Sequence, residues 1–254
     1  MLQVKRRDQV TFLRSDALDR IPRIVHGFST RRCEREDFTL GPASSSNPMV
    51  QVNRVRFLAS IGSPGWPILK LNQVHSGIVV NMDDTSAAGD AVEGDAAVTA
   101  LEGVALGVQS ADCVPILIAD SQASAVAAIH AGWRGTAARI AEQTASRLVK
   151  TFGVDPANLT AVIGPHIGVC CYEVGDEVVE ALDDPGAFER RNEWPKPHLN
   201  LAETNRRHLV SSGIPEAQIE ISSLCTRCRG DLFFSFRREG KRMGLMFSVI
   251  GIAP

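Results

Sequence analysis

No apolar run in this sequence approaches the roughly 20 residues needed to cross a bilayer, which excludes a membrane-spanning helix. Charge of either sign is also missing in excess, since 27 basic and 29 acidic residues leave a net −2. With no field to draw in a polyanion, nucleic acid is not expected as a partner. Internal repeats and low-complexity tracts are absent. The opening MLQVKRRDQVTFLRSDAL is basic but lacks the apolar segment of a secretory signal, so the expected location is the cytoplasm. In that reducing setting the six cysteines (33, 113, 170, 171, 225 and 228) are expected as free thiols.

What is present is the composition of a soluble globular protein, 44% hydrophobic and 22% charged, in a chain long enough to bury a large core. Two stretches are irregular. Residues 31–48 (RRCEREDFTLGPASSSNP) combine charges with Gly, Pro and three serines and read as a long surface loop. Residues 183–197 (DDPGAFERRNEWPKP) carry three prolines. Neither marks a shift of composition, so a single domain spanning 1–254 is expected.

Elsewhere strand and helix patterns alternate. Residues 50–62 set Val52, Val55 and Phe57 or Leu58 at helical spacing and end on a glycine. ILKLNQVHSGIVVNM reads as two strands or one bent one, while DAAVTA, VALGVQ, VPILIAD and AVAAIH read as short buried strands. GTAARIAEQTASRLVKTFG places Ala137, Ile140, Ala141, Thr144 and Leu148 on one stripe and stops on Gly153, as an amphipathic helix does. A strand LTAVIG, helices in VGDEVVEAL and LAETNRRHLVSSGI, and closing strands IEISSLC and RMGLMFSVIGIA follow. Several links are too short for a purely parallel sheet, so the fold class lies at α/β to α+β.

Three polar residues stand at strand ends: His75 in LNQVHSG, Cys113 in QSADCVPILIAD and His130 in AAIHAGWRG. The link SQAS is short enough to pair VPILIAD with AVAAIH as a hairpin. Cys113, just before the first strand, and His130, at the end of the second, then fall at one edge of the sheet. Two imidazoles and a thiolate are ligands that zinc accepts, and a set of three leaves a fourth position for water, as catalytic sites do. Taken singly the same residues are ordinary. A cysteine opening an apolar strand is usually core, and a histidine closing one is usually a satisfied polar group.

Other polar groups cluster nearby in sequence. Asp112 precedes the thiol, and Asn72 and Gln73 precede His75. Arg134 lies in a glycine-flanked turn opening a helix, where it either binds an anion such as phosphate or caps a surface turn. FFSF reads as a half-buried strand; Arg237 and Arg238 after it either meet an anionic or polar substrate or face solvent. Cys225 and Cys228 form a CxxC that lacks a second pair, nearby histidines or a redox context, and it reads as a structural turn. Cys170 and Cys171 are adjacent in GPHIGVCCYEVGDEV, so one is expected to point away from whatever the other faces. Neither is expected to complete the metal site, although His166 in the same turn is a candidate to line it.

The motifs HGFSTR, NQVHS, GDAAVTA, SADCVPILI, HAGWRG, GPHIGVCCYEVG and FFSFRREGKRMG occur in that order between His26 and Ile250. In them the chain resembles the multicopper-oxidase-like laccase-domain family, whose members are variously labelled polyphenol oxidase, purine nucleoside phosphorylase and peptidoglycan editing factor. The resemblance implies a metal, usually zinc, held by His75, Cys113 and His130. It implies a single α/β domain of layered mixed sheets with flanking helices, similar to a toxin-deamidase fold built on a Cys–His pair. It also implies a functional part for Arg238. One departure is the segment after HGFSTR. Members commonly carry a glycine-rich stretch and a Leu-Asn-Leu-Gly turn there, and the difference bears on substrate preference rather than on the metal.

Residue chemistry separates the family's labels. A blue multicopper oxidase needs a His2Cys copper and a histidine-rich cluster besides. This chain has six histidines, and His26, His198 and His208 lie in segments unconnected with the site. Copper can nonetheless displace zinc from such ligands. Zinc-assisted chemistry on a purine nucleoside fits better, with activated water attacking C6 for deamination or phosphate attacking the ribose C1′ for phosphorolysis. Arg238 or Arg134 would hold the phosphate, and Asp112 would shuttle protons or orient a ligand. Asn72, Gln73, Arg134, His166 and Arg237 are the candidates to contact substrate. Two other readings stay open: Cys113 as a nucleophile with His130 its base, in an amidase or other hydrolase of the peptidoglycan-editing kind, and a non-enzymatic binding module.

Overall fold

Strands that are apolar at every position must be covered on both faces, and two stacked sheets between helical layers meet that demand. The computed structural model describes residues 1–34, 36–42, 47–82, 92–242 and 244–254. The chain begins β1 (Leu2–Arg7), β2 (Val10–Ser15), α1 (Asp16–Asp19), β3 (Ile24–Cys33), β4 (Glu36–Asp37) and α2 (Pro48–Ile61). It continues β5 (Ile68–Asn72), β6 (Val79–Asn81), β7 (Val92–Glu93), β8 (Ala96–Thr99), β9 (Ala105–Ser110), β10 (Val114–Asp120) and β11 (Val126–Ala131). Then come α3 (Trp133–Ala137), α4 (Ile140–Phe152), β12 (Leu159–Ile163), α5 (Asp176–Leu182), β13 (Phe188–Glu189) and β14 (His198–Leu199). The last elements are α6 (Leu201–Ser211), β15 (Ile219–Ile221), α7 (Phe236–Glu239) and β16 (Met246–Ile252).

The first sheet runs β1-β2-β3-β16-β9-β5-β7 with β4 on β3, and the second runs β15-β12-β10-β11-β8-β6. Both are mixed: β5 is parallel to β9 and β7, β6 to β8 and β12 to β15, while the other pairs are antiparallel. Period-two alternation sorts the second sheet's side chains. Ile116 and Ile118 of β10 join Ile129 of β11 against Ile140, Ala141 and Leu148 of α4. Leu117 and Ala119 join Leu106, Val108 and Ile250 in the layer between the sheets. On the outer side of the first sheet, Phe57, Leu58 and Ile61 of α2 cover Phe12, Phe247 and Val249.

Three expectations need correction. The helix over 50–62 is present, ending on Gly62 in the left-handed region, but Val52 and Val55 are exposed while Asn53 and Arg54 are buried. The helix turns Arg54 inward because the segment before it presents bare carbonyls: Nε of Arg54 donates to Leu40 O at 2.9 Å and Nη2 to Pro42 O at 2.7 Å. Residues 31–48 are not simply a surface loop, since 31–33 finish β3 and Phe38 and Leu40 are fully buried; 35 and 43–46 lie outside the described residues. FFSF is not a strand. Phe233 and Phe234 are buried in irregular chain, and Ser235 caps α7 by accepting from Arg238 N.

Gly107 sits in β9 where a Cβ would overlap the buried Phe247 ring. Gly107→Ala is expected to lower stability by about 1–3 kcal/mol through overpacking, read by denaturant unfolding, with Phe247→Leu in the same chain recovering part of the loss. Additive losses in the double variant would contradict this account of the glycine.

Candidate active site

Two of the places where the chain crosses from the first sheet to the second are neighbours: between β5 and β6 through residues 73–78, and between β9 and β10 through 111–113. His75 lies on one crossing and Cys113 on the other. His130 arrives from β11, whose register with β10 pairs Pro115 with His130 and Val114 with Ala131, so the hairpin brings His130 to the Cys113 edge. One ligand atom from each of the three falls within 4.8 Å of the others. The two imidazoles meet edge to face with centroids 4.9 Å apart. Gly132 allows this crowding, because a Cβ there would stand 3.0 Å from Cys113 Sγ and 3.3 Å from His75 Cδ2.

One carboxylate organises the three. Asp95 is fully buried immediately before β8. Its Oδ1 accepts from His75 N at 3.0 Å and pairs with His130 Nδ1 at 2.9 Å. Its Oδ2 accepts from Val74 N at 3.2 Å, Ser76 N at 2.6 Å and Ser76 Oγ at 2.7 Å. His75 is thereby held at φ 59°, a left-handed conformation that a non-glycine residue keeps only when its surroundings enforce it. With Nδ1 of His130 engaged, Nε2 is the nitrogen left to face a cation.

The electrostatics follow from that geometry. Burial by itself pushes the Cys113 thiol up, but the charge of His130 and hydrogen bonds from His130 and His75 outweigh it and draw the thiol down to about 6. Burial pulls His130 down, yet Cys113 and Asp95 together push it up to about 9. Asp95, which burial would raise, is held down to about 2 mainly by the His130 and Ser76 hydrogen bonds. Two nitrogens and an ionised sulfur, one imidazole braced by a carboxylate, are a donor set suited to a zinc-like cation with one position open. Such an ion would take the place of the protons on these ligands.

The donors open into a pocket of about 570 Å³, within the usual range for small molecules. Trp133, Tyr172 and Phe236 line it with aromatic surface, and Arg134 and Arg237 line it with cations. The Arg134 guanidinium stacks 4.1 Å from the Trp133 ring and that of Arg237 lies 5.3 Å from the Tyr172 ring. Asn72, Gln73 and Asp112 also line the pocket. The Gln73 amide is committed to the Gln109 backbone, donating to its O at 2.8 Å and accepting from its N at 2.7 Å. Asp112, at φ 92°, accepts from Thr226 Oγ1 at 2.6 Å, Ser235 Oγ at 3.0 Å and Arg237 N at 2.7 Å. It ties two C-terminal segments to the thiol's neighbour.

Two predicted residues lie elsewhere. Arg238 donates to the carbonyls of Thr226, Arg227 and Phe233 and pairs with Glu239, behind the pocket rather than on its wall. His166 is buried with Nδ1 2.9 Å from Gly164 O, off the lining. The CxxC is not an isolated turn. Cys225 and Cys228 meet Cys170 and Cys171 with all four sulfurs within 4.8 Å, and among the described residues this and the His75–Cys113–His130 set are the two groupings able to hold a metal. Sequence reasoning missed Asp95 and Tyr172. The one available signal for Asp95 was an acid wedged between a glycine and a buried strand in GDAAVTA.

Fold and donor set together define a protein with a metal-capable centre at the mouth of a small-molecule pocket. The chain belongs to the family described as multi-copper polyphenol oxidoreductase laccase, whose model matches residues 25–253. A purine nucleoside phosphorylase of Deinococcus radiodurans is 35% identical over 242 residues, covering 90% of this chain and 89% of that protein. A protein named adenosine deaminase RL5, from an unknown prokaryotic organism, is 43% identical over 70% of this chain and 72% of its own length. A purine nucleoside phosphorylase of Bacteroides thetaiotaomicron is 42% identical over 62% of this chain, a match spanning 60% of that relative. Among solved structures, YlmD from Geobacillus stearothermophilus superposes with a TM-score of 0.87 at 30% identity, covering 99% of both chains. No helix among the described residues is long and apolar enough to cross a membrane.

The paired shifts predict a pH profile. In chelator-treated protein, iodoacetamide alkylation of Cys113, followed by peptide mass mapping, should track a thiolate that persists down to about pH 6. Asp95→Asn removes the anion that keeps His130 protonated, so the midpoint should move upward toward that of an ordinary thiol. An unmoved midpoint would contradict the coupling.

Proposed function

We propose that this chain is a zinc-dependent purine nucleoside phosphorylase that also deaminates adenosine, with nucleoside and phosphate as its substrates. The observation that carries the reading is the convergence of His75, Cys113 and His130 on one point at the mouth of a pocket walled by aromatic rings and guanidinium groups. The names of the relatives support the choice of reaction. A cytoplasmic location and action of residues 1–254 as one domain go with it.

An ion held by the three side chains would supply Lewis-acid polarisation of the attacked centre or of a water beside it. The chain's own residues do the rest. Trp133, Tyr172 and Phe236 offer flat apolar surface to a purine ring. Arg134 and Arg237 present cations to phosphate. Asp95 keeps His130 in one tautomer and one orientation. Asp112 and Arg238 act as positioning residues, since their hydrogen bonds fix the segment that carries Arg237. Pro42, from the segment that follows HGFSTR, reaches the pocket wall and would meet the substrate there.

The low thiol and raised imidazole favour one second reading, in which Cys113 is a nucleophile and His130 its acid–base partner in an amidase or other hydrolase. Metal dependence separates the two. Metal analysis of purified protein, beside a screen for free base, inosine and sugar phosphate from adenosine with and without phosphate, should find an ion and products. His130→Ala should lose the ion of this site and lower kcat/KM roughly a thousandfold or more, the scale of several kcal/mol of lost polarisation. Full activity in His130→Ala would remove the site. Activity that survives chelation but not Cys113→Ser would establish the nucleophile, and tight nucleoside binding without turnover would mark a binding module.

A further inference from the structure

Four of the six cysteines converge off the pocket wall, two of them flanking Thr226, which Asp112 anchors. Cys170 and Cys171 come from one turn, closed by Cys171 N donating to Gly168 O at 2.9 Å. Cys225 and Cys228 come from a second turn, in which Arg229 N donates to Cys225 O at 3.0 Å. The turns are joined by a parallel bridge between His166 and Cys225 and by Thr226 N donating to His166 O at 2.9 Å. In an extended chain adjacent cysteines would point apart. The tight turn at 168–171 removes that constraint and sends both thiols to one side.

Three of the sulfurs are spaced as ligands of one ion would be, and that of Cys225 lies within 4.8 Å of each of them. Sγ of Cys170 lies 3.7 Å from that of Cys171 and 3.8 Å from that of Cys228, and Cys171 and Cys228 are 3.4 Å apart. A tetrahedral ion with sulfur ligands at about 2.3 Å holds each pair of sulfurs about 3.8 Å apart. A disulfide needs about 2.05 Å, so no pair stands at bonding distance, and all six cysteines are free. Two of the sulfurs also face donors. Gly168 N donates to Cys225 Sγ at 3.2 Å, and Arg227 Nη1 donates to Cys171 Sγ at 3.5 Å, placing a cation beside the cluster. Gly168 is itself needed, since a Cβ there would press to 3.2 Å from Cys170 Sγ and 3.3 Å from Cys225 Cβ. Thiols are weak hydrogen-bond partners, and two of these four are exposed, so packing alone gives no reason to gather them.

We propose that Cys170, Cys171, Cys225 and Cys228 form a second metal site that holds a structural zinc ion in a closed four-sulfur set. The ion clamps the turn carrying Tyr172 to the turn carrying Thr226, and through the Thr226–Asp112 hydrogen bond it braces the wall of the substrate pocket. It differs from the pocket centre in having no open position, so its part is to hold rather than to react. Soft sulfur ligands in tetrahedral array select zinc over magnesium, calcium or manganese.

Cobalt substitution tests this independently of the pocket. Cys113→Ser, which removes the sulfur from the first centre, should retain one tightly held cobalt ion per chain, with the intense thiolate-to-cobalt charge transfer of an all-sulfur site. Cys170→Ser with Cys228→Ser should lose that band and one equivalent of metal, while the wild type holds two equivalents. A Cys113→Ser protein that keeps its circular dichroism but binds no cobalt, or binds it without the charge-transfer band, would overturn the proposal. So would wild-type protein, purified without reductant, in which thiol titration and intact mass show a disulfide among these four.

Discussion

A single buried carboxylate holds the candidate site together. Asp95 accepts three consecutive backbone N–H groups and a hydroxyl, pairs with an imidazole, and is fully buried. An ionised carboxylate at zero exposure is costly unless fully hydrogen-bonded, and here the bonds are drawn from both sides of the site. The backbone donors fix the loop that presents His75, and the imidazole fixes His130. Loss of this group would release the geometry of His75 and His130 at once, although Asp95 itself is not part of the pocket wall.

Asp112 repeats the device on the other side of the pocket. Like His75 it lies in the left-handed region, and like Asp95 it accepts from a hydroxyl and from a backbone N–H of a distant segment. Both acids stand close to places where the chain passes between the two sheets. There the backbone leaves one ladder before joining the next, and its unpaired donors need acceptors. The same unpaired groups make a crossing a suitable place to build a site. The four-cysteine cluster extends this scaffold outward through Thr226, so that pocket wall, carboxylate anchor and sulfur cluster form one connected support.

Much of this was legible in the sequence. The hairpin of β10 and β11 follows from two apolar runs and a short link, and it alone places Cys113 near His130. The uniformly apolar strands announce a sheet covered on both faces. What was not legible depends on distant partners. β1 shows one half-buried and five exposed residues because it is an edge strand, so no apolar alternation marks it. Arg54 breaks the apolar stripe of α2 because it satisfies carbonyls that only the fold brings near. Cys170 and Cys171 lie more than 50 residues from Cys225 and Cys228, and their union depends on a turn and a β-bridge with no periodic signature. Arg238 reads as a ligand-binding cation by its neighbours in sequence, yet carbonyls behind the pocket take up its donors.

The central claim is that His75, Cys113 and His130 share one cation in front of a bound purine nucleoside. Anomalous diffraction from crystals grown with a nucleoside, with data collected on either side of the zinc edge, tests it directly. The account predicts an edge-dependent peak within coordinating reach of all three donors, with the purine ring against Trp133 or Tyr172. A fully ordered nucleoside bound elsewhere, or three donors in contact with one another and no peak between them, would contradict it.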